Sequence, residues 1–200
     1  MQRIPIIILV AAVISGMVGC AGAGAGGGDG GANPPPEFSK LLAQDGAVDD
    51  NFGESVSING DYAIVGAPDA DGAINGSGAA YIFHRTGTNS WDTGTKLTAY
   101  DGEEYDYFGE SVSIDGDNAL VAGYGNDDNG ETSGSMYLFE RTGTNSWDSG
   151  VKIVSPDGAS ADSFGTSVST NGDYALAGAS GDDDNGSASG SAYIKLLKYQ

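Results

Sequence analysis

Three observations predict an all-β fold, a partial β-propeller of about three four-stranded antiparallel blades. Phe52-Gly53-Glu54-Ser55-Val56-Ser57 returns as Phe108-Gly109-Glu110-Ser111-Val112-Ser113 and as Phe164-Gly165-Thr166-Ser167-Val168-Ser169, each copy 56 residues after the last. Within each copy, short apolar runs are separated by clusters of Gly, Asn and Asp, the residues of turns. No window beyond the N-terminal apolar run spaces its apolar residues at 3.6, so no helix is expected there. A fixed period of this size marks a solenoid, propeller or array, and a gapless comparison of residues 52–107 with 108–163 gives 29 identities in 56 positions.

The first strand of the unit is predicted at 55–58, where Val56 and Ile58 alternate with Ser55 and Ser57. Asn59-Gly60 follows, with Asp115-Gly116 and Asn171-Gly172 in the same place, and these pairs suit a type I′ hairpin turn. The second strand, 62–67, is apolar without alternation, as in an inner strand covered on both faces; 119–123 and 175–179 are its counterparts. After a loop rich in Gly and Asp comes the third strand, 79–84, then 135–140 and a third copy beginning at Ser191. There Tyr81, Phe83, Tyr137, Phe139 and Tyr193 fall on one side, with Ile82, Leu138 and Ile194 on the other. A turn-rich segment, 86–94, leads to a fourth strand at 96–99 and 152–155. Four short strands joined by turns and repeated in register are the sequence form of a propeller blade.

Composition removes several functions. The 28 acidic and 8 basic residues leave a net charge of −20, which repels nucleic acid and favours cations or basic surfaces as partners. Cys20 is the only cysteine, so neither an intrachain disulfide nor a thiolate metal cluster forms. The only histidine, His84, has Glu140 and Leu196 as its counterparts and so recurs nowhere. No acid, base and nucleophile cluster in the sequence, and the chain is read as non-enzymatic.

The chain opens with Arg3 and an apolar run from Ile4 to Val18, shorter than the ~20 residues that span a bilayer and suited to a signal peptide. Its end, Met17-Val18-Gly19-Cys20, resembles the lipobox of bacterial lipoproteins. That resemblance implies lipidation of Cys20 and an exported, membrane-anchored protein at the outer membrane or cell surface. An uncleaved anchor, or an ordinary signal with an incidental cysteine, is the alternative. The segment 21–36 is rich in Gly and Ala and ends in Pro34-Pro35-Pro36, the composition of a tether. The expected organisation is a signal peptide at 1–19, the lipidated cysteine and tether at 20–37, and the repeats at 38–200, divided as 52–107, 108–163 and 164–200.

Phe-Gly at the start of each unit, with Gly66-Ala67-Pro68 after the second strand, resembles the FG-GAP repeats of the integrin alpha-chain propeller and its bacterial relatives. The similarity covers residues 38–194. Gly123-Tyr124 and Gly178-Ala179-Ser180 stand where later copies should repeat Gly-Ala-Pro. The resemblance implies ligand or cell-surface binding, with calcium held in some blades of the family by an acidic loop between strands one and two. Here that connection is only Asn59-Gly60-Asp61, Asp115-Gly116-Asp117 or Asn171-Gly172-Asp173, too short to wrap an ion that needs about six to eight oxygens.

Carboxylates gather instead between strands two and three: Asp69 and Asp71; Asp127, Asp128 and Asn129; Asp182, Asp183, Asp184 and Asn185. These are ligands of the type calcium requires. They are equally the usual residues of exposed turns, and none of the loops has EF-hand spacing. Asp45, Asp101 and Asp157, with Asp50, Asp106 and Asp162, mark each entry into a blade, and recurrence in every copy points to turn geometry. Trp91 and Trp147 occupy equivalent loops, where an indole packs on its own hairpin or stacks on a sugar.

Together these features describe a lipid-anchored, extracytoplasmic binding or adhesion module with a protein or glycan ligand and a cation dependence through the acidic loops. Residues 40–46 align with 96–102 and 152–158, so the folded part opens on a fourth strand without a blade of its own, and the repeat pattern breaks after Ile194. An open arc with exposed ends and head-to-tail self-association is therefore expected. The alternative is a truncated or degenerate fragment of a longer propeller protein.

Overall fold

The computed structural model describes residues 38–197. The expected signal peptide, Cys20 and the expected tether lie outside the described residues. The described chain is all β and forms three antiparallel sheets. The first contains β1 (Val56–Asn59), β2 (Tyr62–Ala67), β3 (Ala79–Gly87), β4 (Ser90–Trp91) and β5 (Thr95–Leu97). The second repeats it with β6 (Ser111–Asp115), β7 (Asn118–Gly123), β8 (Ser135–Gly143), β9 (Ser146–Trp147) and β10 (Val151–Ile153), and the third has β11 (Phe164–Thr170), β12 (Tyr174–Ala179) and β13 (Ser191–Leu196). Each blade pairs its strands in sequence, first to second to third, and in the first two blades β5 and β10 take the fourth-strand position on the far edge of the third strand.

Three details differ from expectation. The first hairpin turns through Gly60-Asp61 rather than Asn59-Gly60, because Asn59 pairs with Tyr62, and positive φ falls on Gly60 and not on Asn59. That places glycine first in the two-residue loop, the requirement of a type II′ turn. The third strand runs on to Gly87, and the segment read as turn contains β4 folded back upon it. Asp92 fixes this corner by accepting hydrogen bonds from the amides of His84 and Gly94, as Asp148 does from Glu140 and Gly150. The fourth strand is only three residues long, since residues after Leu97 and Ile153 leave the ladder for the next blade.

The core lies between sheets. Ile64, Ile82 and Leu97 of the first sheet meet Val112, Ile114, Val121, Tyr137 and Phe139 of the second. Leu120, Met136 and Leu138 of the second meet Phe164, Ala175 and Ala177 of the third. Both faces of β2 and β7 are consequently buried. No core cluster joins the first sheet to the third among the described residues, so the blades form an open stack.

Serine explains how the first strands approach one another. The amide of Ile114 donates to Ser57 Oγ at 3.2 Å, and those of Val168 and Thr170 donate to Ser111 and Ser113 Oγ at 3.0 Å. A small hydroxyl thus satisfies edge amides that a neighbouring strand would otherwise have to meet. The outer rim is stitched by backbone: Phe108 N–H donates to Ser77 O at 3.1 Å, and Phe164 N–H to Ser133 O at 2.9 Å.

The leading segment, 38–46, joins no ladder, yet Leu41 and Ala43 pack on Val65, Tyr81 and Phe83 at the outer face of the first sheet. Leu97 packs on Tyr137 and Phe139 in the same way one blade later. The segment therefore has the position of a fourth strand relative to the blade that follows it, without a third strand beside it.

Candidate functional site

A Lys, an Asp and a Tyr meet at the same place in the first two blades. Lys96 on β5 sits beside Tyr81 on β3 in the ladder. Its Nζ lies 2.6 Å from Asp45 Oδ2 and donates to Asp71 O at 2.6 Å, while Tyr81 OH donates to Asp45 Oδ1 at 2.8 Å. In the second blade Lys152 Nζ lies 3.0 Å from Asp101 Oδ2 and 2.6 Å from Asp128 Oδ2, and Tyr137 OH donates to Asp101 at 2.6 Å. Each lysine also stands over its tyrosine ring, at 5.6 and 5.7 Å. The hydrogen bond from Lys96 is the main reason that Asp45 is held below the ordinary carboxylate range. Burial alone would lower Lys152, but Asp128 and Asp101 outweigh it and raise the ammonium.

The third blade has the tyrosine and the carboxylates without a lysine paired to them among the described residues. Tyr193 OH donates to Asp182 Oδ2 at 2.9 Å, and Asp182 Oδ1 accepts from Ser191 Oγ at 2.9 Å and from the Asp184 amide at 3.2 Å. Asp184 and Asp157, the equivalents of Asp128 and Asp101, are exposed, and the charges of Asp182 and Asp157 push the Asp184 carboxyl up. Lys40, Lys96 and Lys152 share the 56-residue period with the tyrosines and aspartates, which is the signal by which this set is visible in sequence.

The acidic loops serve their own backbones. Asp71 accepts from Gly76 N at 3.1 Å and Asp127 from Thr132 N at 2.6 Å. Asp69 accepts from Asn51 Nδ2 at 2.5 Å, and Asn129 donates to Ser155 O at 3.3 Å. Asp182 is buried among its three donors, while Asp183, Asp184 and Asn185 are exposed. Among the described residues no three His, Cys, Asp or Glu side chains are grouped to hold a metal ion. Asp50, Asp106 and Asp162 close the turns before each blade, accepting from Ala47 N, Glu103 N and Ala159 N.

The tryptophans bridge elements. Trp147 packs into the core between the first two sheets, with its ring 6.2 Å from that of Tyr62 at 88°. Tyr62 OH in turn donates to Thr144 O at 2.8 Å and accepts from Arg141 at 2.9 Å, and that guanidinium lies 4.6 Å above the Tyr62 ring. Trp91 packs on the first sheet's outer cluster, where Leu41 and Ala43 also sit. Trp91 thus packs on its own sheet, whereas Trp147 also reaches across the seam to Tyr62 of the preceding sheet. His84 is half buried, its ring 4.9 Å from that of Tyr62.

The two end faces are apolar. Val56 and Ile58 are 69% and 67% exposed on the first sheet, whereas their equivalents Val112 and Ile114 are buried. On the third sheet Leu176 and Ile194 are 43% and 73% exposed, whereas Ile64 and Ile82 are buried. A groove beside β13, lined by Ile153, Val154, Pro156 and Tyr193, follows the edge where a fourth strand would lie.

No curated protein matches the chain. A family model described as FG-GAP repeat matches three segments, 36–83, 91–139 and 147–195, each running from a fourth-strand position through the third strand of the following blade. With these matches over more than half of its length and the all-β repeated blades that carry them, the chain belongs to the FG-GAP repeat family.

Proposed function

We propose that this chain is a non-enzymatic, extracytoplasmic binding or adhesion module, held to a membrane by lipid on Cys20, whose acidic loops engage a basic protein or glycan surface. The observation that carries the reading is the exposure of Asp71, Asp127 and Asp183 at equivalent points of three stacked blades. This is a row of like charge on a rigid support, in a chain of net charge −20. Such a row attracts a cationic surface and weakens its hold as salt rises, with a Debye length of about 10 Å at 0.1 M. Calcium is not part of the proposal, since the loop carboxylates are spent on backbone amides and Lys152 rather than gathered round a common point. The anchor rests on the Met17-Val18-Gly19-Cys20 junction.

Cells that display the full chain test both parts. Adhesion to a surface coated with a basic polypeptide should exceed adhesion to a neutral polysaccharide, fall with salt, and fall again in the combined Asp71→Asn, Asp127→Asn, Asp183→Asn variant. Equal adhesion to both coatings would remove the acidic-rim reading. Cys20→Ser should release the chain from the membrane fraction, and unchanged retention would remove the lipid anchor.

A further inference from the structure

The end faces of the stack match each other through the interface that already exists inside it. Between the first two sheets, Ile64 and Ile82 are covered by Val112 and Ile114, Tyr62 reaches Arg141 and Thr144 O, and Leu97 covers Tyr137 and Phe139. One repeat further along, the outgoing side presents Leu176, Ile194 and Tyr174, the last 48% exposed. One repeat back, the incoming side presents Val56 and Ile58, with Arg85 and Thr88 at the places of Arg141 and Thr144. Leu41 is already seated on Tyr81 and Phe83 as Leu97 is on Tyr137 and Phe139.

Charge agrees with shape. Lys96 and Lys152 fill the acidic corners of the first two blades, and the third corner holds Asp157 and Asp184 exposed, with no ion pair to a lysine among the described residues. Lys40, next in the same series and exposed, lies on the segment whose backbone joins no ladder. The registers are fixed by precedent: Lys96 pairs with Tyr81 and Leu97 with Ala80, while Lys152 pairs with Tyr137 and Ile153 with Met136.

We propose that the edge of β13 that pairs with no strand among the described residues, and the apolar face of the third sheet, receive a second copy of this chain, whose residues 39–43 add as a fourth strand there, Lys40 opposite Tyr193 and Leu41 opposite Ala192. Lys40 of that copy enters between Asp157 and Asp184, and its Val56 and Ile58 close over Leu176 and Ile194. The contact is head-to-tail, so it builds a ring where the rotation closes and a filament where it does not. The segment need not leave its present seat, because a fourth strand in this fold pairs with one blade while its side chains cover the next.

Charge reversal at exposed residues tests the contact without touching the core. The full-length chain, in its exported form in nonionic detergent, is compared by sedimentation equilibrium with Lys40→Asp and with Asp157→Lys. The wild type should associate, and each variant alone should associate at least about tenfold more weakly. A one-to-one mixture of the two variants should recover association, because the carboxylate introduced in one then meets the ammonium introduced in the other. A wild-type chain that stays monomeric up to its solubility limit would overturn the proposal. So would association that neither variant weakens, or variants whose mixture behaves as the separate proteins do.

Discussion

Gly66, at the end of β2, lies against the backbone of Gly109 at the start of the next blade. A Cβ on Gly66 would sit well inside van der Waals contact of Gly109 O, the oxygen that also accepts a 2.7 Å hydrogen bond from Ser55 Oγ. Gly109 itself has φ of +105°, a conformation that side chains rarely adopt. Gly66 of Gly-Ala-Pro in the first blade and Gly109 of the Phe-Gly that opens the second are therefore halves of one contact between neighbouring blades.

Gly66→Ala should destabilise the fold by about 1–3 kcal/mol, the usual penalty of forcing a group into a packed site. Gly178→Ala, where the nearest atom is the movable hydroxyl of Ser167 at 2.7 Å, should have a smaller effect. Urea midpoints of the two variants measure the difference. Equal shifts would mean that the Gly66 contact relaxes freely.

Tyr62→Phe removes the acceptor of Arg141 and the donor to Thr144 O at the seam between the first two sheets. A loss of about 1–2 kcal/mol is expected, as for partly buried hydrogen bonds to a charged group. Thermal unfolding of the variant beside the parent checks it, and the emission of Trp147, which packs on the Tyr62 ring, should shift with it.

Acid should act on this fold through Asp45 and Asp101. Lys96 and Tyr81 hold the Asp45 carboxyl low, and at Asp101 the hydrogen bonds of Tyr137 and Lys152 overcome the upward pull of burial. A depressed carboxyl stabilises fully above its ordinary value of about 3.9, and that stabilisation is lost as pH falls through the lower, folded value. Asp106 has the opposite sign, because burial raises it and its ionisation at neutral pH works against folding. Asp101→Asn should thus lower stability at pH 7 and flatten the acid decline, while Asp106→Asn should leave stability at pH 7 equal or higher. Denaturation curves at several pH values distinguish them, and a shared sign would refute the assignment.

Calcium should shift the melting temperature no more than magnesium does at equal ionic strength, since no three carboxylates are grouped to hold an ion among the described residues. A calcium-specific rise, by linkage about 2.7 kcal/mol at a hundred times the dissociation constant, would show that the loops rearrange to bind it.

The strands and their blades were legible because alternation, glycine turns and a 56-residue period reinforce one another. Tyr81 and Phe83 do face away from Ile82, as the period of two requires. What escaped was everything that depends on the neighbouring blade. Asp45, Asp101 and Asp157 read as turn residues, because the shared 56-residue period marks lysine, tyrosine and aspartate as recurrent without showing that the three converge in the first two blades. The serines of the first strand read as the polar half of an alternating pattern, although Ser57, Ser111 and Ser113 accept amides from the next blade. Loop carboxylates read either as metal ligands or as turn residues, because Asp to an ion and Asp to a backbone amide have the same composition.

Among the described residues the core clusters join each sheet only to its neighbours, which makes folding of the stack a nearest-neighbour process. The middle sheet is supported on both faces, whereas the outer face of β12 leaves Tyr174 and Leu176 partly exposed. Opening should then begin at the third sheet and travel inward, with β7 amides the last to exchange with solvent. Each added neighbour would raise the protection of the sheet it covers, so the length of the stack, more than the sequence of any one blade, sets how firmly its loops are held.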